Sequence, residues 1–555
     1  MKYRFARRVL GFLSIALILF AASCRQMPSD IQIEEAIKQE VVAGNPPKYI
    51  TEGRKRSKRV WTTLQRFYVK REYRPAWVSG DNLSIEELVG AFCRADQEGL
   101  DPGNYSLSLL SRLHTGGYET DDLEDEEGAK RLAQLDLALT YALVTYGAHL
   151  TNGYARPQWD TSQDSIRMDD QLQKALDSGT IREALAELLP SHEQYQRLKQ
   201  ALADYRRLQS RGGWPSVKDA RDLANLQLRL AATGNLHSSD VDNPESLAAA
   251  IKKFQSRHGL TPSGKVDGLT LSALNVPLES RIRQIEINLE RWRWLPKTLG
   301  DRYIMVNVPA FELQAVEEGK TALRMPVVVG QEYKPTPLFS QKMKYLVLNP
   351  SWNIPESITK EEILPALMTD PAYLSRNGIE VVSMETKEVV DVAEIDWESL
   401  DPEEDFPYRL RQQPGEDNSL GKIKFIFPNE FDVYLHDTPA QQLFHRRKRD
   451  FSHGCVRVSK PYELAAWVLE GKSEWNPDSL REAATTNEEK TIKLPKPMPV
   501  YILYWTCWVE ENGTVSFRED LYDQDKKMFS IMPPQTSGSA EAQKHCRSLL
   551  ERVED

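Results

Sequence analysis

Two periods of apolar residues alternate along this chain, and the change from one to the other divides it. Between residues 60 and 220 the spacing is helical: Leu132, Leu135, Leu137 and Leu139 with Ala142 and Leu143 make a stripe. Asp101-Pro102-Gly103 and Asn152-Gly153-Tyr154 interrupt such stripes as turns. Leu223, Leu226, Leu228 and Leu230 then mark one helix, Leu247, Ile251 and Phe254 a second, and residues 270–274 the start of a third. Turns fall at Gly259-Leu260 and at Gly264-Lys265-Val266-Asp267-Gly268. Arg281, Ile285, Leu289, Trp292 and Trp294 predict a connecting helix over 279–297, in a linker that ends at 300.

From residue 301 the pattern shortens. Segments 303–308, 322–329 beyond a Glu318-Gly319 turn, 343–348, 422–427, 431–436, 500–507 and 514–517 alternate or run apolar at strand length. Asn512-Gly513 reads as a hairpin turn between the last two. A mostly β domain over 301–530 is expected. Residues 355–421 interrupt it with a helical pattern at 360–367 and an acidic run at 401–405. A structureless loop of that size inside a compact domain is unusual, so a subdomain or lid is expected there. The acidic run reads as solvated surface and carries no site.

Composition changes this picture little. A chain of 555 residues exceeds one compact core and implies about three or four domains. Hydrophobic content of 40%, charged content of 27% and 12 Trp indicate folded protein. A formal charge of −10 argues against a nucleic-acid surface.

The N-terminus adds a targeting element. Lys2, Arg4, Arg7 and Arg8 precede the apolar run 9–20, too short to span a bilayer comfortably, so residues 1–24 read as an export signal. Ala21-Ala22-Ser23-Cys24 resembles a bacterial lipobox, which implies lipidation of Cys24 and a membrane anchor. The competing reading is an ordinary cleavage site with Cys24 incidental. Residues 25–55, polar and containing Pro28, Pro46 and Pro47, read as a tether, with folding beginning near Val60. Residues 531–555 are a C-terminal tail.

Of the 5 cysteines, Cys93 beside Leu88, Val89 and Phe92 reads as core, and pairing of Cys507 with Cys546 is left open. No disulfide framework is expected. Cys455 stands apart, in Ser452-His453-Gly454-Cys455-Val456-Arg457, behind a basic connector from His445 to Arg449 and a preceding His436-Asp437-Thr438-Pro439. A free thiol is only a few per cent ionised near pH 7, and two histidines and an arginine near one cysteine supply what activation needs. His436 closes an alternating run and is expected at a strand end. Gly454 permits a turn that a Cβ would forbid. With Ser459 as cap, Pro461 in a first turn and Leu464, Ala465, Val468 and Leu469 as a stripe, Cys455 is expected on a loop just ahead of a helix, whose dipole favours the thiolate. A lone Cys is ordinarily a small buried hydrophobe and a lone His a structural one; the contiguous cluster argues otherwise. Zinc lacks a second Cys at short spacing, and no metal or organic cofactor is expected.

This stretch resembles the catalytic signature of YkuD-like L,D-transpeptidases: a His, a connector, then Ser or Thr, His, Gly, Cys, a hydrophobic residue and Arg or Asn. Asn349-Pro350-Ser351-Trp352-Asn353-Ile354-Pro355 and His436-Asp437-Thr438-Pro439 are similar to the large YcbB-type periplasmic members. The resemblance implies Cys455 as nucleophile, His436 as its base, and His453, Gly454, Arg457 and Ser452 in the substrate and oxyanion pocket. It also implies a multidomain α+β architecture. A helical scaffold occupies 56–220, with Arg71 to Trp77 and 150–157 similar to the family's; a three-helix peptidoglycan-binding-like domain occupies 221–278, on Phe254-Gln255 and the Asp267-Gly268 to Leu274 element; the catalytic domain carries a capping insertion at 355–421.

The implied activity is acyl transfer from a tetrapeptide stem to an amine, giving 3→3 crosslinks. Peptidoglycan stem peptides and glycan would be the partners, and the periplasm the location, with a lipid anchor. Water as acceptor gives carboxypeptidation, and a lipoprotein lysine gives anchoring. A general cysteine protease and a non-enzymatic wall-binding lipoprotein with an inert Cys455 are the competing classes.

Overall fold

The computed structural model describes residues 28–51, 58–78, 83–110, 126–155, 168–236, 243–395, 397, 406–472, 474–532 and 544–546. The leader, Cys24 and the acidic run 401–405 lie outside them. The chain divides into two compact units, the first made of residues up to 156, 161–190 and 532 onward, the second of 157–160 and 191–531.

The first unit is helical. Its central helix, Glu126–Asn152, buries Leu132, Leu135, Leu139, Ala142 and Leu143 of the expected stripe. Asp136 is fully buried on it, where its carboxylate accepts from the Tyr68 hydroxyl at 2.5 Å and from the amides of Ala76, Trp77 and Val78. Burial pushes that carboxyl up, and the four donors are what make its site tolerable. Two expectations fail here. Residues 30–42 are not tether: Asp30–Val42 is a helix capped by Ser29 and Gln32, and Ile33, Ile37 and Val41 pack into the core. Their helical spacing lay inside a polar composition. Cys93 is core-facing yet bonded to Cys546, with Cα atoms 5.8 Å apart, so the C-terminal tail returns to this unit and Cys507 stays a free, buried thiol.

In the second unit, helix Leu278–Arg293 runs buried almost all round, as the connecting helix expected at 279–297. Helix Glu193–Ser210, read above as part of the scaffold, packs on it, and Arg206 pairs with Glu286 at 2.7 Å. Arg293 pairs with Glu290 at 3.0 Å and donates to the Tyr195 hydroxyl at 2.9 Å, with both charged groups fully buried. Helices Leu223–Ala231, Pro244–Arg257 and Gly268–Leu274 enclose Leu226, Leu230, Ile251, Phe254 and Leu274. Leu223 and Leu228, counted in the stripe, lie exposed. The signature residues of this module build its turn. Gln255 donates to the Lys265 carbonyl at 2.8 Å and Thr270 Oγ1 at 3.0 Å, while Asp267 caps the third helix through the Thr270 amide at 2.7 Å.

The β region contains β1 (Arg302–Asn307), β2 (Glu312–Glu317), β3 (Lys320–Gly330), β4 (Phe339–Leu348), β5 (Trp352–Asn353), β6 (Ile379–Ser383), β7 (Val389–Val390) and β8 (Tyr408–Gln412). It continues with β9 (Ile423–Ile426), β10 (Leu435–His436), β11 (Asp450–Ser452), β12 (Val456–Val458), β13 (Lys490–Leu503), β14 (Cys507–Val509) and β15 (Val515–Phe517). Pairings run β1-β2-β3-β12-β10-β9-β4-β13 and back to β1, closing the sheet on itself, with β11 added to β3. Closure leaves no free edge among these eight strands. Inside lie Ile304, Val327, Leu346, Phe425, Leu435, Val456 and Val500. β14 and β15 form the hairpin expected at Asn512-Gly513, and Gly513 takes φ +80° in its turn.

Between β4 and β9 the interrupting segment builds a second sheet, β5-β8-β6-β7, over a core of Ile358, Ile363, Leu367, Leu374, Val381 and Leu410. Its helical part includes a π turn, Thr359–Ile363.

Candidate active site

Strand register gathers the site. His436 on β10 lies opposite Arg457 on β12 and Lys424 on β9, so the three form one row across the barrel wall. The adjacent row, Phe425, Leu435 and Val456, faces inward and is fully buried. Alternation therefore turns Lys424, Tyr434, His436, Cys455 and Arg457 to one face, where all five line a cavity of about 970 Å³. The interrupting segment adds further lining through Trp352 and Tyr408 of the second sheet, Glu362 of the π turn and Phe406 just before β8.

Cys455 does not stand ahead of a helix. It follows a bend at His453-Gly454 and leads into β12; the helix begins only at Pro461, with Lys460 as its uncapped N-cap and the Ser459 hydroxyl buried without a partner. The dipole thus does not act on the thiol. Burial instead pushes the thiol above its ordinary value, opposed by the Tyr434 amide and hydroxyl and by the charges of Lys424 and Arg457. Its sulfur also lies 3.9 Å from the Asp432 carbonyl.

His436 ends its strand as expected but is buried. Its Nδ1 donates to the Asp437 carbonyl at 2.5 Å, and the Leu420 carbonyl also hydrogen-bonds the imidazole, so backbone acceptors fix the ring. Burial and the positive charge of Arg457, then Lys424, push this histidine down to about 3, so the imidazole is neutral near pH 7. Among the described residues no hydrogen bond joins His436 to Cys455. Asp437 is itself held by the Lys422 amide at 2.8 Å, and a Cβ on Gly421 would meet its carboxyl at 2.4 Å.

The remaining signature residues divide between lining and support. Ser452 Oγ donates to the Cys455 carbonyl at 2.5 Å and accepts from the Gly454 amide at 3.1 Å. The Gly454 amide is therefore taken, contrary to its assignment to the oxyanion pocket, whereas the Cys455 amide makes no hydrogen bond among the described residues. Gly454 adopts φ +113°, a conformation glycine alone takes freely, and its carbonyl accepts from Thr336 Oγ1 at 2.8 Å. His453 points to the second sheet's segment and pairs with Glu362, while Lys334 pairs with neighbouring Glu361. Arg457 lines the cavity with its Nε buried and without a partner.

Lys424, Tyr434, Thr336 and Glu362 were missed in the sequence. Tyr434 had a signal, because the alternation that aims His436 aims the residue two before it. Lys424 depended on register between distant strands, and Glu362 on how the interrupting segment folds back.

Comparison with known proteins agrees with this architecture. Residues 301–485 match the YkuD family, described as an L,D-transpeptidase catalytic domain; residues 62–202 match a family described as a scaffold domain. Residues 219–274 match a family described as "Putative peptidoglycan binding domain". A Haemophilus influenzae protein named "Putative L,D-transpeptidase" is 27% identical over 465 residues, covering 84% of this chain and 78% of that protein. A solved L,D-transpeptidase from Stackebrandtia nassauensis shares 16% identity over 51% of this chain and 92% of its own, with a TM-score of 0.21. An avibactam carbamoyl enzyme, Ldtfm, shares 12% identity over 47% of this chain and 81% of its own, with a TM-score of 0.16; neither likeness carries an argument. The chain is therefore a large multidomain protein that carries a YkuD L,D-transpeptidase catalytic domain and a peptidoglycan-binding domain, and it is similar over most of its length to a protein named as a putative L,D-transpeptidase.

Proposed function

We propose that the chain is a peptidoglycan L,D-transpeptidase that forms a Cys455 thioester with tetrapeptide stems and passes it to an amine, giving 3→3 crosslinks. The observation that carries this reading is the Cys455 thiol opening into a large cavity beside Tyr434, His436, Lys424 and Arg457. In the first step sulfur attacks the carbonyl of the L,D bond. The thiol proton passes to neutral His436, and from there to the departing D-amino acid. The second amine then attacks the thioester, and sulfur regains its proton. The Cys455 amide, without a hydrogen bond among the described residues, and the Tyr434 hydroxyl, which hydrogen-bonds the sulfur, suit the oxyanion. Arg457 and Lys424 suit carboxylates of the stem. No organic cofactor or metal enters these steps.

An extracytoplasmic setting fits the Cys93–Cys546 disulfide, since such bonds persist in oxidising compartments. We extend the proposal to a periplasmic protein anchored through lipidated Cys24. No helix among the described residues is long and apolar enough to cross a membrane.

Mass spectrometry of disaccharide-tetrapeptides incubated with the enzyme tests the activity. Crosslinked dimers that have lost one D-amino acid are expected from wild type and absent with Cys455→Ala. Monomeric tripeptide as sole product would assign carboxypeptidation instead. A carbapenem should add once to wild type and not to Cys455→Ala, because a strained cyclic amide acylates any activated thiol it can reach.

A further inference from the structure

A second cavity, about 340 Å³, lies away from Cys455, between the turn at 259–262 of the peptidoglycan-binding module and the connector that joins His436 to Cys455. Arg446, Arg447, Lys448, Arg449 and Arg518 line it, with Glu519 the single carboxylate among its lining residues. Lys448 and Arg447 share Glu519, at 3.2 and 3.8 Å. Arg449 donates to the carbonyls of Val327, Arg446 and Phe311, and Arg518 to those of Arg257 and Phe517, while the carboxylates of Glu312, on both, and Glu510, on Arg518, act from outside the lining. Within the lining five cations face one carboxylate, and counting Glu312 and Glu510 the recess stays net positive. Burial pushes Arg518 down to about 10, which leaves it charged at neutral pH but short of the hydration an exposed guanidinium enjoys.

The recess is built in advance of any ligand. Arg257 donates to the Val515 carbonyl at 2.8 and 2.6 Å, and His258 stacks between Phe254 and Phe517, so module and hairpin are fastened side by side. A recess with more positive than negative charge, walled by two modules, suits an anionic polymer that engages both. In peptidoglycan the glycan is neutral where stems are attached, and the negative charge sits on the stem-peptide carboxylates. We propose that this recess is a binding subsite for those carboxylates, holding a wall strand on the peptidoglycan-binding module while a neighbouring stem enters the Cys455 cavity. The assignment of the ligand rests on the function proposed above.

Binding of soluble disaccharide-tetrapeptide chains to the full protein tests it. Arg447→Gln with Lys448→Gln should weaken binding roughly tenfold, and wild-type affinity should fall as salt rises. Glu519→Gln should tighten binding, a gain that misfolding cannot mimic. Chains with amidated stem carboxylates should bind wild type as weakly as native chains bind the double variant. Unchanged affinity in the double variant, or equal binding of amidated and native chains, would overturn the proposal. Carbapenem addition to Cys455 is scored separately: if it fails while the charge effects hold, the active-site reading falls and the subsite stands.

Discussion

Lys424, His436 and Arg457 share one row, so each charge there acts on its neighbours and on Cys455. The thiol of the free enzyme sits above its ordinary value and is protonated at pH 7, so alkylation of Cys455 should be slow there and rise only through alkaline pH. Lys424→Gln removes a charge that favours the thiolate, raising the thiol further and slowing alkylation at fixed pH; peptide mapping after timed iodoacetamide treatment reads both effects. A faster reaction in the variant would reverse the assigned sign. Thr336→Val strips a buried bridge between the Gly330 amide and the Gly454 carbonyl. It should cost roughly 2 kcal/mol in a denaturant melt and depress turnover, because two backbone groups lose their partner beside the nucleophile. The nucleophile and His436 were legible because their residue types and spacing carry chemistry. The supporting Thr336 was not, since nothing local links it to Gly454.

At the scale of elements, the segment over the cavity is tied down at the π turn Thr359–Ile363 by Glu361 to Lys334 and by Glu362 to His453. Both carboxylates are largely exposed, so each pair contributes at most about 1 kcal/mol. Glu361→Gln with Glu362→Gln should therefore speed hydrogen exchange over 359–363 by less than about thirtyfold and leave the barrel's exchange unchanged. Helix Leu278–Arg293 makes the opposite case. Arg293→Ala takes from the fully buried Glu290 its ion partner at 3.0 Å, leaving it neutral donors such as the Trp294 indole at 3.4 Å, and about 3–5 kcal/mol of stability should go with it, seen as a lower unfolding midpoint. Alternation made β1, β3, β4, β9, β13 and β15 readable but not β2, β11, β12 or the strands of the interrupting segment, and β10 shrank to two residues because the backbone before it bends, with Asp432 at φ +51°. Barrel closure depends on pairings between distant strands, which periodicity does not encode.

Across the whole molecule, the chain leaves its first unit, builds the second and returns, and the return is locked by Cys93–Cys546. Cys546→Ser should lower the stability of the first unit by about 2–4 kcal/mol, and reductant should reproduce that loss in wild type without adding to it in the variant. Sequence reading left the pairing of Cys546 open and read Cys93, amid Leu88, Val89 and Phe92, as core, since a link over a separation of 453 residues leaves no local trace. The division into helical and β parts was visible throughout because it rests on period alone. The central claim, that Cys455 carries the acyl group, is tested most directly by intact-protein mass spectrometry after brief mixing with disaccharide-tetrapeptide. Wild type should gain the mass of a disaccharide-tripeptide acyl group, mapped to Cys455, and Cys455→Ala should gain nothing. An unmodified wild type that still releases the terminal D-amino acid, or an adduct that persists in Cys455→Ala, would contradict it.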